Sequence, residues 1–246
     1  MTLRHHEIAE TNHRILNPFT EDKLRLLGEV SGVRAGTRIL DLACGKGEML
    51  CRWAQWFGAS SVGVDLSHVF SAAARERAVE LGVADRVTIV QGDAAAYQAT
   101  PAAFDLVSCL GATWIGGGIA GTLALMLPAL KPGGAVLVGE PYWITEPPPD
   151  ALAALGMAAD DFTDLAGTAE RIGAAGLELV EMVLANQDSW DRYEASQWAA
   201  ITDWLAANPA DPDHAAMRAF RDGNRRTYLR RGRAHLGWGV FVTRPC

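Results

Sequence analysis

Short apolar runs alternate with longer stretches of helical pattern along the first part of the chain. Five runs, Arg38–Leu42, Ser61–Asp65, Val87–Gln91, Phe104–Cys109 and Ala135–Glu140, are bounded by turn residues and read as buried strands. Between them, Lys46–Phe57, Ser67–Leu81 and Ile119–Leu130 carry helical spacing. This alternation predicts βαβ units, and so an α/β doubly wound, mostly parallel sheet with helices on both faces.

The pattern changes in the C-terminal third. A helix at Thr163–Ala175 and a strand at Leu177–Ala185 are followed by Asp188–Asn208, where Trp190, Tyr193, Trp198, Ile201 and Leu205 fall near helical spacing. A Pro-rich break at Asn208–Asp213 leads to an amphipathic helix near His214–Arg231 and a last strand at Gly237–Thr243. Residues 188–233 thus read as a helical insertion between the last two strands. The stretch Glu146–Asp150 reads as a loop, and Thr20 is a good N-cap for a helix within an N-terminal segment, 1–34.

The chain has 246 residues, 49% of them hydrophobic, enough for one domain with a real core. Its net charge of −7 works against a phosphate backbone as partner, so nucleic acid is not expected. No run resembles a signal peptide or reaches the ~18 apolar residues that span a bilayer. The cysteines (44, 51, 109, 246) form no CxxC pair. These features predict a cytoplasmic protein, monomer or homodimer, with no membrane partner. His5, His6 and His13 have no acidic or Cys partner at ligand spacing, so no metal is expected.

The most informative stretch is Ile39–Leu50, ILDLACGKGEML. A strand ends in Asp41, and a turn with Gly45 and Gly47 opens a helix. Glycine permits turn conformations closed to other residues, and the free N–H groups of a helix start can meet a ligand. Asp65 closes the next strand, 18 residues past Gly47. A carboxylate there can accept both hydroxyls of a ribose; alternatively Asp65 or Ser67 simply caps the next helix. Gly92-Asp93-Ala94 follows the third strand, where Asp93 can hold an adenine amino group or make an ordinary Asp turn. A nicotinamide fingerprint, G-x-G-x-x-G, fits poorly: it needs Gly at 43 or 42 and Gly or Ala at 48, and the sequence has Ala43, Gly45 and Glu48.

Together DLACGKG, VDLS, GDA, FDLV and LKPGG resemble the class I S-adenosylmethionine (SAM)-dependent methyltransferase family over about residues 35–145, the expected SAM-binding core. As a whole the chain looks like uncharacterised bacterial members. Ala43 stands where the family often has Gly. The resemblance implies that Asp41, Ala43, Gly45 and Gly47 line the methionine part of SAM, Asp65 the ribose, and Asp93 and Ala94 the adenine. Cys44, Leu66, Gly92, Cys109 and Leu110 complete the implied cofactor contacts. It also implies a seven-stranded sheet whose last strand is antiparallel, and SAM as cofactor.

Ligands of open α/β sheets bind outside the carboxyl ends of the strands. Glu140, Tyr142 and Trp143, which leave the fifth strand there, are therefore the catalytic candidates. Glu140 is placed to act as a base or to serve as a structural carboxylate; Trp114, Tyr142 and Trp143 can form an aromatic wall or pack the sheet edge. His68 is a second base candidate that also fits a first helical turn. Asn17 and Phe19 are candidates for closing over the cofactor. Arg225, Arg226, Arg230, Arg231 and Arg233 read as a solvated helix face or as an anion-recognition patch. The insertion should emerge at the mouth of the site as a lid, or pack away from it as a dimer interface or a buttress on the sheet edge. The expected activity is methyl transfer to a small-molecule acceptor. RNA or protein methylation, or SAM binding without transfer, are the alternatives.

Overall fold

A computed structural model describes residues 2–246. Seven strands form one sheet: β1 (Arg38–Leu42), β2 (Ser60–Asp65), β3 (Val87–Gln91), β4 (Phe104–Leu110), β5 (Leu130–Trp143), β6 (Leu177–Leu184) and β7 (Leu236–Pro245). Their order is β3-β2-β1-β4-β5-β7-β6. β1 to β5 pair in parallel, while β7 runs antiparallel to both β5 and β6. β6 therefore points the same way as β1, and its carboxyl end lies on the ligand side.

The helices are α1 (Leu3–Ala9), α2 (Glu21–Val30), α3 (Glu48–Phe57), α4 (His68–Glu80), α5 (Ile119–Met126), α6 (Pro149–Leu155), α7 (Leu165–Ala174), α8 (Gln187–Ala207), α9 (His214–Thr227) and the short α10 (Arg233–His235). A π-helical turn, Tyr228–Gly232, joins α9 to α10. Side-chain caps start several of them, Thr20 accepting from Lys23 N and Ser67 from Phe70 N. The segment 146–150, expected as a loop, instead runs into α6, because Pro149 occupies the first helical position, where its missing N–H removes no helical bond.

Both faces of the sheet are covered. On one, Ile39, Leu137, Val240 and Val242 pack with Leu27, Leu50 and Trp53 of α2 and α3. On the other, Leu40, Val107, Val136, Val138 and Phe241 pack with Leu123 and Met126 of α5 and Ile172 of α7. Strand side chains alternate between faces, so neighbouring apolar residues serve different cores. A third cluster lies outside the sheet. Ile8 and Ala9 of α1 pack with Ile201, Leu205 and Met217 of α8 and α9. That cluster fastens the N-terminal segment to the insertion. Among the described residues no helix is long and apolar enough to cross a membrane.

Candidate active site

The turn between β1 and α3 adopts left-handed backbone at Ala43 (φ 63°), Gly45 (φ 55°) and Gly47 (φ 64°). At Ala43 a side chain tolerates what usually falls to glycine, a strain of about 1–3 kcal/mol that the surrounding structure must hold. At Gly45 a Cβ would meet Leu16 Cδ1 at 2.7 Å, so Leu16 would have to shift, and the left-handed backbone itself disfavours a side chain. Asp65 pins this turn: Gly45 N donates to its Oδ2 at 2.7 Å and Ser67 N to its Oδ1 at 2.9 Å. Ser67, not Asp65, caps α4.

Asp41 is buried and accepts a 2.7 Å hydrogen bond from Ser108 Oγ. Burial pushes its carboxyl up to about 7, with the Asp65 charge adding and Ser108 opposing. Asp65 is likewise raised, mainly by burial, against its two backbone bonds. Among the described residues neither carboxylate pairs with a cation.

Asp41, Ala43, Cys44 and Gly45 open onto a cleft of about 300 Å³. Leu110, Gly111 and Ala112 after β4 and Pro141 of β5 continue its wall. Its roof comes from two places distant in sequence. Residues 14–19 lie over it from the N-terminal side, and Trp190, Tyr193 and Glu194 of α8 lie over it from the insertion. Asn17 Nδ2 donates to Leu110 O at 3.3 Å, and Phe19 meets Trp238 edge to face at 5.0 Å.

Lys46 ties this roof to the turn. Its ammonium donates to the carbonyls of Glu10 (2.7 Å), Thr11 (3.1 Å) and His13 (2.7 Å), where a cation satisfies the free carbonyls after a helix end. Glu7 accepts from Ser67 Oγ at 2.5 Å, and Arg4 pairs with Asp211 and Asp213 before α9. Glu10, fully buried, accepts from Tyr193 Oη (2.6 Å), Gln197 Nε2 (2.7 Å) and His13 Nδ1 (2.7 Å). Burial alone would raise its pKa; the His13 and Tyr193 bonds hold it below the usual range.

The other positions singled out in the sequence fall elsewhere. Gly47 caps α3, with Ala74 so close that a Cβ would meet it at 2.9 Å. Leu66 is exposed, Asp93 caps a short turn by accepting from Ala95 N at 2.9 Å, and Ala94 and Cys109 are buried in the second core. Gly92 donates its N–H to Asp65 O at 2.9 Å. Glu140, Tyr142 and Trp143 do not line the cleft. Strand parity explains two of them: Pro141 faces Asp41's side of the sheet, while Glu140 and Tyr142 face the other. Glu140 opens onto a neighbouring cleft with Thr113, Asp161 and Arg171, and burial pushes it up to about 7 against the nearby Thr113 and Arg171. Tyr142 packs against Gly237, and Trp143 donates Nε1 to Ala159 O at 3.2 Å. Trp114, between the clefts, lines both.

Of the basic run, Arg231 pairs with Asp150, Arg233 with Asp191 and Arg225 with Asp222, and none of the five lines the cleft. His68 is exposed on α4. Among the described residues no three His, Cys, Asp or Glu side chains are grouped to hold a metal. Sequence reasoning passed over Lys46, Glu10 and Glu194. Glu194 stands one and four residues beyond Tyr193 and Trp190, the spacing of a single helix face, and that signal was available.

A doubly wound sheet with this strand order, a glycine turn after β1 and a carboxylate ending β2 defines a cofactor-dependent methyltransferase fold. The comparisons agree. A methyltransferase-domain family model matches residues 39–134. The uncharacterised protein YjhP of Escherichia coli K12 is 47% identical over 237 residues, spanning 96% of this chain and 95% of that one. A SAM-dependent methyltransferase from Geobacter sulfurreducens, crystallised with S-adenosylhomocysteine (SAH), superposes with a TM-score of 0.96 at 45% identity over 100% of this chain and 99% of that one. One from Thiobacillus denitrificans, also with SAH, gives 0.95 at 43% identity over 100% and 99%. The chain belongs to the class I SAM-dependent methyltransferase family. The residues present fit that family's cofactor. SAM carries a sulfonium and an ammonium, and beside the turn stand two buried carboxylates, Asp41 and Asp65, neither of them in a salt bridge among the described residues.

Proposed function

We propose that the cleft transfers the methyl group of SAM to a small organic acceptor. The observation that carries this reading is the roof: residues 14–19 with Trp190, Tyr193 and Glu194 partly cover a cleft of about 300 Å³, a size suited to small molecules rather than to a folded macromolecule.

Asp41, Ala43, Cys44 and Gly45 would hold the cofactor's methionine part, with Gly47 shaping the turn behind them. Asp65 and Leu66 would hold its ribose and Gly92, Asp93 and Ala94 its adenine, with Leu110 of β4 lining the cleft and Cys109 packed behind it in the second core. When bound, SAM supplies an electrophilic methyl group on sulfur. The chain's own contribution is to bind, orient and exclude water. Asp41, which lines the cleft, would offset the cofactor's positive charge. The aromatic roof supplies apolar surface and electron-rich faces suited to a cation. Glu140 opens on the neighbouring cleft and has no assigned part in transfer.

The test is incubation of the protein with methyl-deuterated SAM and a metabolite extract, an RNA pool and a protein pool, followed by mass spectrometry. The label is expected in a small molecule. Label in RNA or protein alone contradicts the small-molecule reading, and no label in any pool contradicts transfer.

A further inference from the structure

A second cleft, of about 720 Å³, lies between the loop after β4, the start of α5 and helix α7. Unequal strand lengths create it. β4 ends at Leu110, opposite Gly139, so Glu140 is the first residue of β5 with no strand on that side. Val138, two residues earlier and on the same face, is packed in the second core; at Glu140 that core ends and the cleft begins. Trp114 stands 71% exposed at the border with the cofactor cleft.

Glu140 is only 2% exposed, and it lines this cleft. The donor that bears on it is the Thr113 hydroxyl. One O–H meets a single lone-pair site of the roughly four on an ionised carboxylate. Arg171 acts on Glu140 through space, because its guanidinium donates to the carbonyls of Asp160 at 2.9 Å and Asp161 at 3.3 Å. What Glu140 leaves unmet is not shut off from solvent, as Glu194 Oε2 is. A buried carboxylate with so few partners is costly unless something completes it. Burial pushes this carboxyl up to about 7, and an opposite charge brought against it favours the ionised form.

The surrounding charges set the sign of the missing partner. Asp160 and Asp161 line the cleft with Glu140, against the one guanidinium of Arg171. The start of α5 also faces the cleft and has no side-chain cap, but a helix end amounts to roughly half a positive charge. The balance stays negative, which favours a cation over an anion. The rest of the wall is largely apolar: Ile119, Met157 and Phe162, with Phe162 edge to face against Trp143 at 5.9 Å.

We propose that this cleft is a second ligand site, for an organic amine whose ammonium is held by Glu140 and whose apolar body lies on Trp114 and Phe162. The site is separate from the cofactor cleft, and it stands whether or not the transfer reading does.

The experiment titrates four probes into the wild-type protein by ligand-observed NMR at about pH 8, above the Glu140 value of about 7. Phenethylamine and hexylamine should bind roughly 10-fold or more tighter than phenethyl alcohol and hydrocinnamate, the range of a hydrogen bond to a charged group. That preference should collapse in Glu140→Gln. Trp114→Ala, at an exposed position, should weaken phenethylamine and phenethyl alcohol alike and keep the preference. Saturating SAH should leave phenethylamine bound. The alcohol or the anion binding as tightly as the amines, a preference that survives Glu140→Gln, phenyl probes indifferent to Trp114→Ala, displacement of phenethylamine by SAH, or no probe binding at all overturns the proposal. None of these outcomes bears on SAH binding itself, and failure of SAH to bind leaves the titrations of the free protein to decide.

Discussion

Tyr193 of the inserted helix α8 donates its hydroxyl to the buried carboxylate of Glu10, just past α1, at 2.6 Å. The bond joins the two halves of the roof directly. The insertion and the N-terminal segment are therefore one device, and cutting out residues 188–233 would release both.

Tyr193→Phe removes this bond and leaves Glu10 with Gln197 and His13. A hydrogen bond to a charged group contributes about 1.5–3 kcal/mol. Denaturant unfolding should show a loss near the lower end of that range. Amide exchange of α1 should quicken while that of β1 and β4 does not. Unchanged exchange in α1 would mean the apolar cluster of Ile8, Ile201 and Met217 holds the segment alone.

Lys46→Met keeps most of the side-chain length but removes the donor to three carbonyls. The expected outcome is rapid protease cutting between residues 10 and 20 in the free protein, slowed by saturating SAH. Equal resistance to wild type contradicts the tether.

Asp65→Ala should weaken SAH binding roughly 10- to 100-fold, the effect of losing a charge-assisted acceptor. It should also lower stability, since Gly45 N and Ser67 N lose their shared partner. Calorimetry and thermal unfolding together check this. Unchanged SAH affinity would leave Asp65 with only its turn-holding part.

Asp41 gives the pH dependence. Burial first, and then the Asp65 charge, raise its folded pKa from 3.8 to about 7. A carboxyl raised in this way contributes stability that is fully present below its unfolded pKa and is lost as pH rises through the folded value. Glu140, also raised to about 7, acts in the same direction. The free protein should therefore lose melting temperature between about pH 4 and pH 7 through these groups. A bound cation favours ionised Asp41, so SAM binding around neutrality should release protons. The binding enthalpy should then change with the buffer's ionisation heat in wild type, and much less in Asp41→Asn. Equal buffer dependence in both proteins contradicts the charge role of Asp41.

Strands β1 and β3 were legible residue for residue because short apolar runs between glycine or charged turns have few other readings. β5 extends beyond its expected end at Glu140. Pro141 reads as a stop, yet past Gly139 the strand has only β7 beside it, where proline is tolerated. Strand parity at the site was not legible. β5 is buried on both faces, so Val136, Leu137 and Val138 are equally apolar, and nothing in the pattern says which face Glu140 joins. The glycine turn was readable because backbone at Gly45 and Gly47 demands those residues. The polar ties that fasten the roof were not readable, since Lys46 and Glu10 look like ordinary surface charges until non-local packing brings α1 and α8 together.

The most direct measurement is a calorimetric titration of SAH into the wild-type protein around neutrality. One molecule should bind per chain with micromolar affinity, about −8 kcal/mol. Binding should fall sharply in Gly45→Val, whose side chain would fill the approach beside Leu16 while also straining the left-handed turn. No heat with SAH or SAM, alongside measurable binding of NAD, would contradict the assignment of the cleft.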